Sequence, residues 1–173
     1  VAAGGNPFTN ATENYNGSAW TNSGNLPSNL EAGTCFGTQT AGLIASGNIP
    51  PETNFSAEYD GSSWTAGNNM SRGTGTNGAG FGIQTAGIYA TGSLSGSPTA
   101  LVEQYNGTNW TEIAEVNRAR GGAGASQAGS VTSAVIFGGG PGSGVDAQTE
   151  TWDGTSWTEV ADLNTARQEG GSF

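Results

Sequence analysis

Histidine and lysine are absent from this sequence, and cysteine occurs once, as Cys35. Without His or Lys, neither a Ser-His-Asp nor a Ser-Lys arrangement can activate a nucleophile. A lone cysteine excludes an internal disulfide framework. Cys35 has no imidazole to activate it and lies in a run of small residues, so it reads as a buried, inert thiol. The same shortage leaves no His/Cys cluster for zinc or copper. Positive charge is scarce: four arginines face fourteen acids, for a net charge of −10. Such a surface repels phosphate backbones and anionic bilayers, which excludes nucleic acid as a partner. No apolar run approaches the roughly 18 residues of a spanning helix, so membrane insertion is not expected. The chain opens at Val1 inside what reads as a strand, without a Met or a signal-peptide pattern. That reads as a processed chain or a segment of a longer one.

What is abundant is glycine, 31 of 173 residues, with Asn, Ser, Thr and Ala filling most of the remainder. Such a composition alone would suit a disordered linker. The aromatics argue otherwise, because they recur on a beat. Tyr15-Asn16-Gly17-Ser18-Ala19-Trp20 returns as Tyr59-Asp60-Gly61-Ser62-Ser63-Trp64 and as Tyr105-Asn106-Gly107-Thr108-Asn109-Trp110. It returns again as Trp152-Asp153-Gly154-Thr155-Ser156-Trp157, with tryptophans 44, 46 and 47 residues apart. A second anchor keeps the same period: Gln39-Thr40-Ala41-Gly42-Leu43-Ile44-Ala45-Ser46-Gly47 matches Gln84-Thr85-Ala86-Gly87-Ile88-Tyr89-Ala90-Thr91-Gly92. Ser133-Ala134-Val135-Ile136-Phe137-Gly138-Gly139 is its third copy, and Val1-Ala2-Ala3-Gly4-Gly5 is the tail of a fourth.

Each period predicts four short strands. The first is a small-residue run (32–37, 78–82, 122–125 and 170–173), and the second is the apolar run that closes on Gly. The third ends at the Tyr or Trp before the turn, and the fourth carries the periodic Trp. Asn-Gly or Asp-Gly between short runs predicts a type I′ hairpin turn, with φ > 0 at both central residues. Four strands in 44–47 residues is the size of one propeller blade. The fold class expected is therefore all-β: a β-propeller of four four-stranded antiparallel blades, in a single domain spanning 1–173. The chain starts at a second strand and ends at a first strand. If 170–173 supplies the missing strand to the blade begun by Val1–Gly5, the ring closes and no sheet edge stays open.

These residues resemble kelch-type repeats, with small residues, an apolar strand closing on Gly-Gly, then an aromatic and a Trp a few residues apart. Gly-Gly is intact at Gly4-Gly5 and Gly138-Gly139, while Ser46-Gly47 and Thr91-Gly92 replace it in the middle copies. The Arg that often precedes the first strand fits Arg120 and Arg167, with Leu30 and Thr74 in the matching places. The style of Asp-Gly-Thr-Ser-Trp-Thr and of Leu163-Asn164-Thr165-Ala166-Arg167 is similar to repeats in fibre and appendage proteins of marine bacteriophages. That resemblance implies a non-enzymatic structural or receptor-binding module in a virion or extracellular setting. Its partners would be a protein or glycan receptor, or neighbouring fibre subunits. A WD40 reading fails because the Trp-Asp dipeptide occurs once and no Gly-His exists.

Few residues carry chemistry of their own. Glu13, Glu103 and Glu150 share one repeat position two residues before the aromatic, with Glu58 one place nearer. Paired carboxylates can hydrolyse glycosides, but a position repeated in every unit reads as scaffold, so no enzyme and no cofactor are expected. Asp146 in a Gly-rich loop is the one thinkable calcium ligand and reads as solvated. Arg120 and Arg167 are expected to tie adjacent units to carbonyls or to a repeat-position Glu. The six Asn-x-Ser/Thr triplets mostly coincide with turns. Tyr15, Tyr59, Tyr105, Trp152 and the tryptophans Trp20, Trp64, Trp110 and Trp157 are expected to pack between blades. Exposed, those tryptophans would instead be the stacking platforms of a lectin with one pocket per blade, the alternative function. The loops between second and third strands vary while the Asn-Gly and Asp-Gly turns do not. Recognition is therefore expected on the loop face, at Phe8, Pro50, Pro51, Phe55, Leu94 and Pro98.

Overall fold

The computed structural model describes residues 1–48, 53–72, 75–126, 128–142 and 144–169. Among these the chain is all-β, without helix, and the strands follow the sequence period. The first sheet joins β1 (Ala2–Ala3), β2 (Thr12–Tyr15) and β3 (Trp20–Asn22). The second joins β4 (Thr34–Thr38), β5 (Ala41–Ala45), β6 (Ser56–Tyr59) and β7 (Trp64–Ala66) in chain order. The third contains β8 (Ala79–Ile83), β9 (Ala86–Ala90), β12 (Val102–Tyr105) and β13 (Trp110–Glu112), and between its middle strands β10 (Ser93–Leu94) and β11 (Ser97–Pro98) form a separate hairpin. The fourth joins β14 (Gly124–Ala125), β15 (Ala134–Phe137), β16 (Thr149–Trp152) and β17 (Trp157–Val160). All pairings are antiparallel, and the aromatic before each turn faces the periodic Trp: Tyr15↔Trp20, Tyr59↔Trp64, Tyr105↔Trp110 and Trp152↔Trp157.

The apolar residues form three clusters, one at each seam between consecutive sheets. Leu26, Leu30, Ile44, Ala57, Tyr59 and Trp64 fill the first seam. Phe36, Leu43, Ala45, Met70, Tyr89, Tyr105 and Trp110 fill the second. Phe81, Ile88, Val102, Val116, Ile136, Trp152 and Trp157 lead the third. A sheet held between two others is buried on both faces, so its second strand is apolar without alternation. Glycine lets the sheets approach. A Cβ on Gly80 would lie 2.5 Å from the Thr34 methyl and 2.6 Å from the Phe36 ring, and one on Gly87 would lie 2.2 Å from the same ring.

Two local expectations are corrected. The Asn-Gly and Asp-Gly turns are not two-residue type I′ hairpins. The Tyr↔Trp register leaves four residues between the paired strands, and φ is positive only at the glycines Gly17, Gly61, Gly107 and Gly154. The preceding residue works through its side chain instead: Asp60 Oδ1 accepts the amides of Ser62 (2.8 Å) and Ser63 (2.7 Å), and Asn16, Asn106 and Asp153 do the same. These bonds hold the Asp60 carboxyl far below the ordinary carboxylate range and lower that of Asp153. The second correction is the β10–β11 hairpin, where the sequence reads as a plain loop. Ser95 and Gly96 both take positive φ (50° and 78°), and it is here that a two-residue turn forms.

Ring closure rests on residues 170–173, which lie outside the described residues. Among the described residues no hydrogen bond joins the first sheet to the fourth, and Trp20, which a neighbouring sheet would cover, is 53% exposed.

Candidate binding face

Each second strand ends in two consecutive residues of positive φ: Gly4 and Gly5 (71°, 135°), Ser46 and Gly47 (59°, 109°), Thr91 and Gly92 (65°, 108°), and Gly138 and Gly139 (65°, 91°). The second of each pair is always Gly. A Cβ on Gly47 would stand 2.8 Å from the Glu31 carbonyl oxygen. The first position is left-handed α, which Ser and Thr tolerate at some cost, and that is why Gly-Gly is not kept in the middle units. The double turn aims an amide at the connection to the next sheet. Gly5 donates to Leu30 O (2.8 Å), Gly47 to Gly75 O (2.8 Å), Gly92 to Arg120 O (3.0 Å) and Gly139 to Arg167 O (2.8 Å). The counterpart of Arg120 in the third unit is therefore Gly75, one residue on from Thr74, which lies outside the described residues. These bonds gather the loops after the second strands and the inter-sheet connections on one face.

On this face Phe8 (38%) and Leu94 (39%) are exposed, Leu94 at the tip of the β10–β11 hairpin. Phe55 is not free for contact: it is half-buried and packs on the cluster that holds Leu26, Leu30 and Trp64. Pro98 is half-buried in β11, and a Cβ on Gly142 would sit 3.8 Å from its ring, so the loops of the third and fourth units meet there. Pro50 and Pro51 lie outside the described residues. Val145, 52% exposed, joins Phe8 and Leu94 and was missed. Its signal is a lone branched apolar residue among glycines and a serine. A shallow polar hollow of about 170 Å³ lies beside Pro98, lined also by Asn77, Ser93, Gly140, Gln168 and Glu169.

The repeated carboxylates serve the backbone. Glu103, 1% exposed, accepts Ser71 N (2.8 Å), Ser71 Oγ (2.7 Å) and Arg72 N (3.1 Å). Glu150, fully buried, accepts Asn117 N and Nδ2 (2.8 Å each) and pairs with the guanidinium of Arg120. Arg120 also donates to Gln148 O (2.8 Å). Burial pulls its guanidinium below the ordinary value, and the charge of Glu150 opposes the shift. The guanidinium of Arg167 donates to the nearby Thr165 O (3.2 Å), so its tie to the fourth sheet is made by the backbone. Glu58 belongs to the register of Asn14, one place on, and its Oε1 accepts the hydroxyl of Tyr105 (2.5 Å) across the seam. Burial, then the neighbouring Glu58, raises the Tyr105 phenol above its usual range. Asp146 forms an ion pair with Arg118 (3.1 Å) and accepts its own loop's amides from Ala147 (2.8 Å) and Gln148 (3.2 Å).

Trp64, Trp110 and Trp157 are 8%, 7% and 7% exposed, each set on the preceding sheet. Their indoles donate to Thr12 Oγ1 (2.9 Å), Ser56 Oγ (3.2 Å) and Ala114 O (3.1 Å). Trp20 keeps the same tilt against Tyr15, with ring centroids 5.2 Å apart, but both rings stand in solvent. Cys35 is a correction. It is exposed and faces a hollow of about 290 Å³, lined also by Thr34, Asn77, Gly80, Ala125 and Glu169. The residue is exposed, yet burial around its thiol disfavours the thiolate and pushes the thiol up to about 11.

No protein family and no curated protein matches the chain. Among solved structures it is similar to YjhT, with a TM-score of 0.71 and 14% identity over 94% of this chain. The chain spans 64% of that protein's length. At this identity the likeness bears on the fold alone.

Proposed function

We propose that the four sheets are blades of a kelch-type β-propeller and that the chain is a non-enzymatic structural or receptor-binding module of a virion fibre or extracellular surface protein. One observation carries the reading: the two ends of the sheets differ. The turn end repeats a single compact side-chain-capped turn four times and, apart from Ile83 beside the β8–β9 turn and the Tyr15–Trp20 pair of the first sheet, offers little to grip. The loop end exposes Phe8, Leu94 and Val145 from three different sheets, on loops whose ends are anchored by the repeated inter-sheet hydrogen bonds. Varied apolar contacts on a rigid scaffold suit recognition. The engagement of Glu103 and Glu150 with backbone amides supports a scaffold role over hydrolysis. Burial of three of the four periodic indoles leaves a lectin with one pocket per blade without its stacking platforms.

The test is the triple change Phe8→Ser, Leu94→Ser and Val145→Ser, assayed against a glycan array and against bacterial cell envelopes. All three side chains are exposed, so the circular dichroism should not change, while binding should be lost. Binding that survives the change overturns the choice of face, as does a complex seated on the Asn16, Asp60, Asn106 and Asp153 turns. Saturation at several equivalent glycans per chain would put the lectin in its place.

A further inference from the structure

We infer that Asn106 and Asn16 are sites of spontaneous covalent modification, each converted to an acidic residue by the amide of the glycine that follows it, whereas the fold holds Asn77, in the same dipeptide, unreactive. The sequence contains three Asn-Gly pairs, at 16–17, 77–78 and 106–107. In such a pair no Cβ shields the nitrogen that follows the asparagine. Once that nitrogen has lost its proton to solvent base, it can attack the asparagine Cγ. A C–N bond forms, the bond from Cγ to Nδ2 breaks, and ammonia leaves behind a five-membered cyclic imide. Water then opens the imide at the side-chain carbonyl to give aspartate, or at the main-chain carbonyl to give isoaspartate. Water is the one co-reactant. The attack does require the Asn-Gly peptide plane to turn until its nitrogen faces the side chain.

Freedom of that plane separates the three pairs. Asn106 and Asn16 are exposed. Among the described residues, neither Asn106 O nor the Gly107 amide makes a hydrogen bond, and the same holds for Asn16 O and the Gly17 amide. Each of these side chains is held by two bonds at the protein surface. Asn106 Oδ1 accepts Thr108 N (3.0 Å) and Asn109 N (2.8 Å), and Asn16 Oδ1 accepts Ser18 N (3.0 Å) and Ala19 N (2.9 Å). Solvent-exposed bonds of this kind open locally at little cost.

Asn77 is fixed instead. Its φ is 60°, and the carbonyl of its own peptide with Gly78 accepts the Gly122 amide (2.8 Å). Gly78 lies against Tyr89, where a Cβ would stand 2.1 Å from the ring, and its carbonyl accepts Thr34 Oγ1 (2.9 Å). That plane cannot turn without breaking the tie to Gly122 and pressing on Tyr89.

The aspartate product is a residue this turn already uses. Asp60 and Asp153 hold the same place in the other two copies and accept the same pair of amides. Those bonds keep both carboxyls below the ordinary range. Aspartate at 106 or 16 therefore preserves the turn and adds one negative charge to the turn end. Isoaspartate lengthens the main chain by one atom and loses the side-chain cap.

The experiment ages the whole chain in mildly alkaline buffer, folded and unfolded in guanidinium. Mass spectrometry of the digested chain follows each Asn-Gly peptide for the loss of one ammonia and the gain of one water. Unfolded, the three sites should convert at similar rates. Folded, Asn106 and Asn16 should stay within about tenfold of those rates, while Asn77 slows by about a hundredfold or more. Hydroxylamine, which cleaves the imide, should cut the folded chain after Asn106 and Asn16 and leave the bond after Asn77 intact. Asn106→Asp should keep the circular dichroism and the Tm of the parent chain. Folded Asn106 and Asn16 as inert as Asn77 overturn the inference, as does folded Asn77 converting as fast as they do. A marked fall in Tm for Asn106→Asp also overturns it, because the turn would then reject the product.

Discussion

Glu150→Ala is the sharpest single test of how the units are locked. It removes the anionic partner of a guanidinium with no solvent exposure and the acceptor of both Asn117 donors. Arg120 keeps only carbonyls, Gln148 O at 2.8 Å and Gly138 O at 3.4 Å. An ion stranded in this way costs about 3–5 kcal/mol. In a domain of this size that corresponds to a fall in Tm on the order of 10 °C. Glu103→Ala is the internal control, because the same repeat position there accepts bonds from Ser71 and Arg72 without a buried cation. Ser71 and Arg72 are exposed and water can replace the carboxylate, so the cost should be nearer 1–2 kcal/mol. Arg120→Leu combined with Glu150→Leu should recover much of the loss, since both ions leave together. Urea unfolding of the wild type, Arg120→Leu, Glu150→Leu and the double variant gives the coupling energy, expected to be about 2–3 kcal/mol. The reasoning fails if Glu150→Ala costs no more than Glu103→Ala, or if the double variant loses the full sum of its singles.

Equal chemistry at unequal burial gives a second comparison. Trp110→Ala empties a packed seam and should cost about 3–5 kcal/mol, whereas Trp20→Ala in the isolated chain should cost less than about 1 kcal/mol; similar losses in urea melts would contradict the exposed first sheet. Cys35, with its thiol pushed up to about 11, is almost wholly protonated at pH 8. Iodoacetamide should therefore modify it roughly a hundredfold more slowly than in the chain unfolded at that pH, with the rate climbing as pH rises towards 11. Equal rates in the two states would mean that the fold does not disfavour the thiolate.

The period was legible in the residues because each unit must solve the same local problem. A Tyr or Trp before a capped turn and a Trp after it mark two paired strands, and Leu43-Ile44-Ala45 between glycines marks a strand buried on both faces. Composition also removed the chemistry that His, Lys and cysteine pairs would supply. Boundaries between strands followed within a few residues, since turn chemistry is local. The type of turn did not follow, because Asp60 acts through its carboxylate rather than through its own φ, and only the Tyr59↔Trp64 register reveals four residues between the strands.

Tertiary structure alone decided which copies of a repeated residue are covered. Trp20 and Trp110 read alike in sequence, yet one is bare and the other buried, because burial depends on having a preceding sheet to lie against. Phe8 and Phe55 read as equal loop aromatics, but Phe55 falls over the first seam and is held there. Cys35 sits among small residues like any core thiol, yet its strand lines a hollow, so the residue is exposed. Glu103 and Glu150 share a register, and only the chain that crosses above them gives one a buried arginine and the other a serine. A repeat specifies what each unit can do locally, and its neighbours in space determine which of those capacities are used up in holding the fold.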